Sequence, residues 1–115
     1  MKKIEAIIRP EKLDAIKDAL AAKGVLGMTV TNVSGHGRQK GIVLQWRAGE
    51  YRVDFLPKVK LEIVVSSEEL QPVIDVICQA AKTGREGDGM IFVMPVENAY
   101  RVRTSDAGEA CVSAK

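Results

Sequence analysis

Three stretches of the sequence bring together residues that bind anions. "GHGRQKG", residues 35–41, brackets Arg38 and Lys40 with Gly35, Gly37 and Gly41. Such glycines let a backbone approach a ligand, and the cations suit phosphate or carboxylate, although a basic glycine turn is also an ordinary surface turn. "TGREGDGM", residues 83–90, carries Gly84, Gly87 and Gly89 around Asp88. It follows a helical pattern and precedes a strand pattern, the reverse of a Walker-type phosphate loop. A backbone nest for an anion is still open to it. "YRVRT", residues 100–104, reads as a short strand. Arg101 and Arg103 would then share a face and need an anion between them, unless the strand is a solvated edge.

Other chemistry is poorly supplied. His36 is the single histidine, and the two cysteines, Cys78 and Cys111, stand far apart. Zinc binding and histidine-assisted nucleophilic catalysis are therefore not expected, nor is an enzyme. The 17 Lys and Arg against 15 Asp and Glu give a net charge of +2, which makes no case for nucleic acid. No apolar run is long enough for a signal peptide or a membrane span, so the expectation is a cytoplasmic protein with reduced thiols and no direct membrane insertion.

The elements that must position these clusters follow from periodicity. The 115 residues fit a single domain, 1–115. Residues 2–8 read as a strand. Pro10 suits a first helical turn, Leu13, Ile16 and Leu20 share a helical face, and Gly24 supplies the stop. "MTVTNVSG", 28–35, reads as a second strand. In "PKVKLEIVV", 57–65, Val59, Leu61, Ile63 and Val65 alternate with Lys60, Glu62 and Val64. Ser66 and Glu69 form a capping-box pattern before a helix carrying Leu70, Val73, Ile74, Ile77 and Ala81. Pro72 fits only near that helix's start. "MIFVMPV", 90–96, is a last strand, with "AYRVRT" a possible short fifth. The tail from 105 to 115 is small and polar and is expected to be mobile.

The order β-α-β-insert-β-α-β predicts an α+β, ferredoxin-like fold. Two helices cover one sheet face only. Ile7, Val64 and residues of the last strand cannot all point at the helices, so the second face is expected to be buried in a homo-oligomer, a small ligand pocket or a mixed surface being the alternative. The insert, about 37–57, alternates aromatic and charged residues and contains the only tryptophan, Trp46, with Tyr51 and Arg47. A long insert of this kind is a candidate partner-binding arm; an extended hairpin shedding charge into solvent is the alternative.

"GRQKG" at 37–41, "EYRVDFLPKVKLEIVV" at 50–65, "TGREGDGMIFV" at 83–93 and "RVRT" at 101–104 together resemble the PII nitrogen-regulatory signal proteins, from Lys2 to about Thr104. Within that family the chain is most similar to the bacterial branch modified on tyrosine. The resemblance implies a homotrimer with nucleotide sites between subunits, where ATP and ADP compete. It implies that 2-oxoglutarate binds beside the phosphates of MgATP. On this resemblance Gly37, Arg38, Gln39, Gly87, Asp88 and Gly89 line one side of the cleft. Arg101 and Arg103 reach the phosphates from the neighbouring chain, and Glu62 and Val64 lie near the adenine. Gln39 would ligate magnesium, and Lys58 would pair with a 2-oxoglutarate carboxylate. The insert resembles the family's T-loop, through which an ammonium channel or nitrogen-metabolism enzymes are regulated. Tyr51 matches a tyrosine modified by a uridylylating enzyme, and Arg47 a channel-plugging arginine.

Two residues depart from the family pattern. Met90 stands where Lys or Arg is usual after Gly-Asp-Gly, and Trp46 where tyrosine is frequent. Loss of a charged phosphate donor is worth roughly 1.5–3 kcal/mol, or about tenfold to a hundredfold in affinity. Met90 therefore keeps a second function open: a divergent PII-like regulator that senses adenine nucleotides, such as ADP or AMP, without 2-oxoglutarate.

Overall fold

The computed structural model describes residues 1–37, 42–46 and 49–112, with only the backbone described for 42–46 and 49–53. Strand β1 spans Lys2–Ile8, helix α1 Leu13–Ala22, β2 Thr29–Gly35, β3 Ile42–Trp46, β4 Gly49–Val53, β5 Leu56–Val65, α2 Leu70–Ala81 and β6 Gly89–Pro95. The main sheet is antiparallel with order β2-β5-β1-β6, and β3 pairs with β4 in a separate two-stranded sheet. With α1 and α2 the main sheet has the α+β, ferredoxin-like arrangement.

Alternation along the strands builds the core. Ile4, Ala6 and Ile8 of β1 and Val59, Leu61, Ile63 and Val65 of β5 are buried against Ile16 and Leu20 of α1 and Val73, Ile77 and Ala81 of α2. Each fully buried Ile or Leu contributes roughly 1.5–3 kcal/mol. A single turn of 3-10 helix, Pro10–Lys12, leads into α1. The Ser66 hydroxyl donates to Glu69 at 2.8 Å, and the Glu69 N–H donates back to Ser66 Oγ at 3.3 Å. This closes the turn before α2. The helix proper starts at Leu70, so Pro72 falls in its first turn, where no N–H is required.

The other sheet face is open. Ile7, Val64, Met90 and Phe92 lie on it, with Met90 62% and Phe92 48% exposed, whereas Ile91 packs towards the core. Charges occupy its centre: Lys3 pairs with Glu62 at 2.7 Å, and Lys60 lies 3.9 Å from Glu5.

The expected strand at 100–104 does not form. After β6 the chain leaves the sheet. Arg101 O accepts the Ser105 N–H at 2.7 Å, the Arg101 N–H donates to Asp106 O at 2.8 Å, and Tyr100 bridges to Ala107. Arg101 and Arg103 thus stand on a tight turn rather than on one strand face. The reason is local: Thr104 Oγ1 donates to the Asp106 carboxylate at 2.8 Å and favours the turn, while Val102, 98% exposed, finds no strand to pair with. Glu109–Cys111 then forms a turn of 3-10 helix.

Candidate effector-binding site

A concavity of about 680 Å³ opens where the end of β2, the start of β5 and the 85–90 segment meet. Gly37, Lys58, Gly87, Asp88, Gly89 and Met90 all line it, together with Ile7 and Phe92 of the open sheet face. The register explains how they converge. Gly35 pairs with Leu56 and Ile8 with Gly89, so four strand ends meet at one rim. A Cβ on Gly35 would lie 3.1 Å from Lys58 Cγ, and the glycine gives the lysine stem room against β2. Gly89 is more constrained. Its φ is +115°, and a Cβ there would fall 1.8 Å from the Ile7 carbonyl oxygen, so a side chain is excluded.

The 83–88 segment is tied down from within. The Asp88 carboxylate accepts hydrogen bonds from the Thr83 N–H at 2.8 Å, the Gly84 N–H at 3.0 Å and the Thr83 hydroxyl, and from Arg9 Nε at 3.1 Å. The Thr83 hydrogen bonds foremost, with Arg9 and the Gly84 N–H adding to them, hold its pKa well below the usual carboxylate range. Arg9 Nη2 also donates to Glu86 O at 2.6 Å, and Lys58 Nζ donates to Gly87 O at 2.8 Å. Burial, and then the nearby Arg9 guanidinium, push the Lys58 pKa down.

A second concavity, about 800 Å³, lies towards the other end of β5. Thr29, Glu62, Val64, Asn98, Arg101 and Cys111 are among its lining residues. Glu62 is held ionised there, chiefly by the hydrogen bond from Lys3. Arg101 Nη2 donates to the Cys111 carbonyl at 3.3 Å. Lys58 and Glu62 are four residues apart, about 13 Å along the strand. The residues singled out in the sequence therefore fall into two groups within a single chain: Gly37, Lys58, Gly87, Asp88 and Gly89 in one hollow, Glu62, Val64 and Arg101 in the other. Arg103 is exposed and lines neither of these two hollows.

Arg38, Gln39 and Arg47 lie outside the described residues. Trp46 and Tyr51 are described in backbone only, Trp46 opposite Gly49 and Tyr51 opposite Leu44 in the β3–β4 pair. Among the described residues no cluster of His, Cys, Asp or Glu could hold a metal ion. No helix among them is long and apolar enough to cross a membrane. Sequence reasoning missed Arg9 and Thr83. Their one visible signal was a cation ending the apolar strand β1 directly before Pro10.

The four-stranded antiparallel sheet with its two helices, glycine-built turns and cations beside them make up an α+β module with a concave rim. Sequence comparison places it. Residues 1–106 match the family model described as Nitrogen regulatory protein P-II. The chain is 52% identical over 112 residues to a nitrogen regulatory protein P-II of Cereibacter sphaeroides, covering 97% of this chain and all of the relative. It is 56% identical over 108 residues to one of Bradyrhizobium diazoefficiens, covering 94% of this chain and 96% of the relative. It is 52% identical over 112 residues to nitrogen regulatory protein P-II 1 of Escherichia coli K12, covering 97% of this chain and all of the relative. The chain belongs to the nitrogen regulatory protein P-II family, whose members are signal transducers rather than enzymes.

Proposed function

We propose that this protein is a cytoplasmic, homotrimeric PII signal transducer that senses ATP, ADP and 2-oxoglutarate. The observation that supports this most is the division of the binding residues between two hollows. One subunit's hollow at Lys58 and Gly87–Gly89 offers backbone and cation for phosphates. A neighbour's hollow offers Glu62 and Val64 for the adenine end, and Arg101, with Arg103, for the phosphates. A subunit contact through the open face bearing Met90 and Phe92 would bring the two together and bury that face.

In this reading Arg38 and Gln39 complete the phosphate end, and Gln39 contributes a magnesium ligand beside the phosphates. Bound there, magnesium would supply charge neutralisation. Lys58 exchanges its Gly87 carbonyl partner for a carboxylate of 2-oxoglutarate, a stronger, charge-assisted bond. The arm at 37–57 then reports occupancy to an ammonium channel or nitrogen-metabolism enzymes through Trp46 and Arg47. Tyr51 is the candidate for uridylylation, as in the tyrosine-modified branch.

A second reading is favoured by one feature. Met90 presents a thioether, 62% exposed, in the phosphate-side hollow where the family pattern has a cation. A regulator of another transporter or enzyme that responds to ADP or AMP without 2-oxoglutarate would tolerate that loss. Light scattering tests the shared requirement: a mass of three chains is expected, and a stable monomer at micromolar concentration removes the intersubunit site. Arg103→Ala should weaken ATP with little change in the apo melting temperature. Unchanged ATP affinity would place the nucleotide elsewhere.

A further inference from the structure

We infer that Arg9 is a positioning residue for the phosphate-side turn, holding Thr83–Gly89 in shape and cancelling the one fixed carboxylate within it. The inference rests on the nucleotide-binding reading above. Arg9 is 7% exposed, and its guanidinium spans two acceptors, the Asp88 carboxylate and the Glu86 carbonyl. Lys58 binds the next carbonyl along, that of Gly87. Two successive carbonyls are thus held by cations from two different strand ends, and a polyphosphate entering the hollow meets neither of them bare. Asp88 is the remaining problem. An ionised carboxylate in the wall of a phosphate site repels the ligand, more strongly for each added phosphate charge. Its four donors disperse that charge, but only Arg9 among them carries a full positive charge.

A planar fork is needed for both contacts, because a lysine has a single head and cannot reach both acceptors with fixed geometry. Replacing Arg9 should therefore act on phosphate-rich ligands selectively, and the ratio of ATP to AMP affinity reports this independently of the fraction of protein folded. Calorimetric titration of Arg9→Met and Arg9→Gln should show ATP weakened about tenfold or more and AMP by less than about threefold. Arg9→Lys should retain most of the ATP affinity, since it keeps the charge, yet amide exchange over Thr83–Gly89 should quicken at least about threefold while β1 and β5 keep their protection.

Equal losses for ATP and AMP, or none, overturn the role of Arg9 while wild-type ATP binding leaves the nucleotide reading standing. Wild-type protein that binds neither nucleotide defeats both. If Arg9→Met does not fold, Arg9→Lys decides alone: unchanged exchange over Thr83–Gly89 overturns the inference.

Discussion

Lys58 Nζ donates a hydrogen bond to the carbonyl oxygen of Gly87 at 2.8 Å, joining residues 29 apart in sequence at the hollow beside the start of β5. The contact is between a full charge and a neutral acceptor, in a place where burial already lowers the lysine pKa. A carboxylate arriving there would be a better partner than the carbonyl it displaces. Lys58→Met should abolish 2-oxoglutarate binding and spare ADP. Loss of ADP binding to the same degree, measured by calorimetry, would show that the substitution damages the turn rather than the carboxylate site.

Asp88 gives a pH dependence with a definite sign. Its folded-state pKa is depressed, so the stability it contributes is fully present above its unfolded value, near 3.9, and is lost as pH falls through the lower folded value. Asp88→Asn should lower stability at neutral pH and flatten the loss of stability in acid. Denaturant melts from neutral pH down to about pH 2, across the upper part of that window, check this. Parallel pH profiles for the two proteins would mean that the carboxylate does not close the turn.

Gly89 and Gly84 separate steric exclusion from backbone strain. Both have positive φ, but only at Gly89 would a Cβ strike backbone, the Ile7 oxygen at 1.8 Å; at Gly84 nothing lies within 4 Å. Gly84→Ala should cost about 1–2 kcal/mol, from left-handed strain alone. Gly89→Ala should cost more than that, about 3 kcal/mol or above, because β1 and β6 must part. Equal costs in urea unfolding would mean that the β1–β6 register near Ile8 and Gly89 yields easily.

Met90→Lys should tighten ATP binding. The side chain lies on the open sheet face beside Ile7, in the wall of the hollow that the Gly87–Gly89 turn also lines. The gain should be a sizeable part of roughly 1.5–3 kcal/mol, larger for ATP than for AMP, and reduced by salt. Equal affinities of wild type and variant for all three nucleotides would make Met90 neutral and remove the main support for the second reading.

Much of this was legible in the residues. Alternation in 57–65 places Val59, Leu61, Ile63 and Val65 inward because a two-residue period leaves a strand with one buried face few alternatives. The helices announce themselves by spacing and by Ser66 and Glu69. What stayed hidden was long-range. Arg9 and Asp88 are 79 residues apart, and no local pattern reveals a pair made by strand register. The reading of Arg101 and Arg103 as strand neighbours failed for the opposite reason: a side-chain bond two residues long, Thr104 to Asp106, outweighs the β preference of Val102. The division of the candidate site residues into two hollows was also beyond the sequence, since Lys58 and Glu62 lie on the same strand and the same face.

In the proposed sensor, 2-oxoglutarate binds only where MgATP has already supplied its neighbour. Calorimetric titration of wild-type protein with 2-oxoglutarate, in the presence and absence of MgATP, tests it most directly. A saturable heat with MgATP, and none without it or with ADP in its place, is the expected result. ATP binding with no 2-oxoglutarate response under either condition would contradict the claim and hand the protein to the nucleotide-only reading.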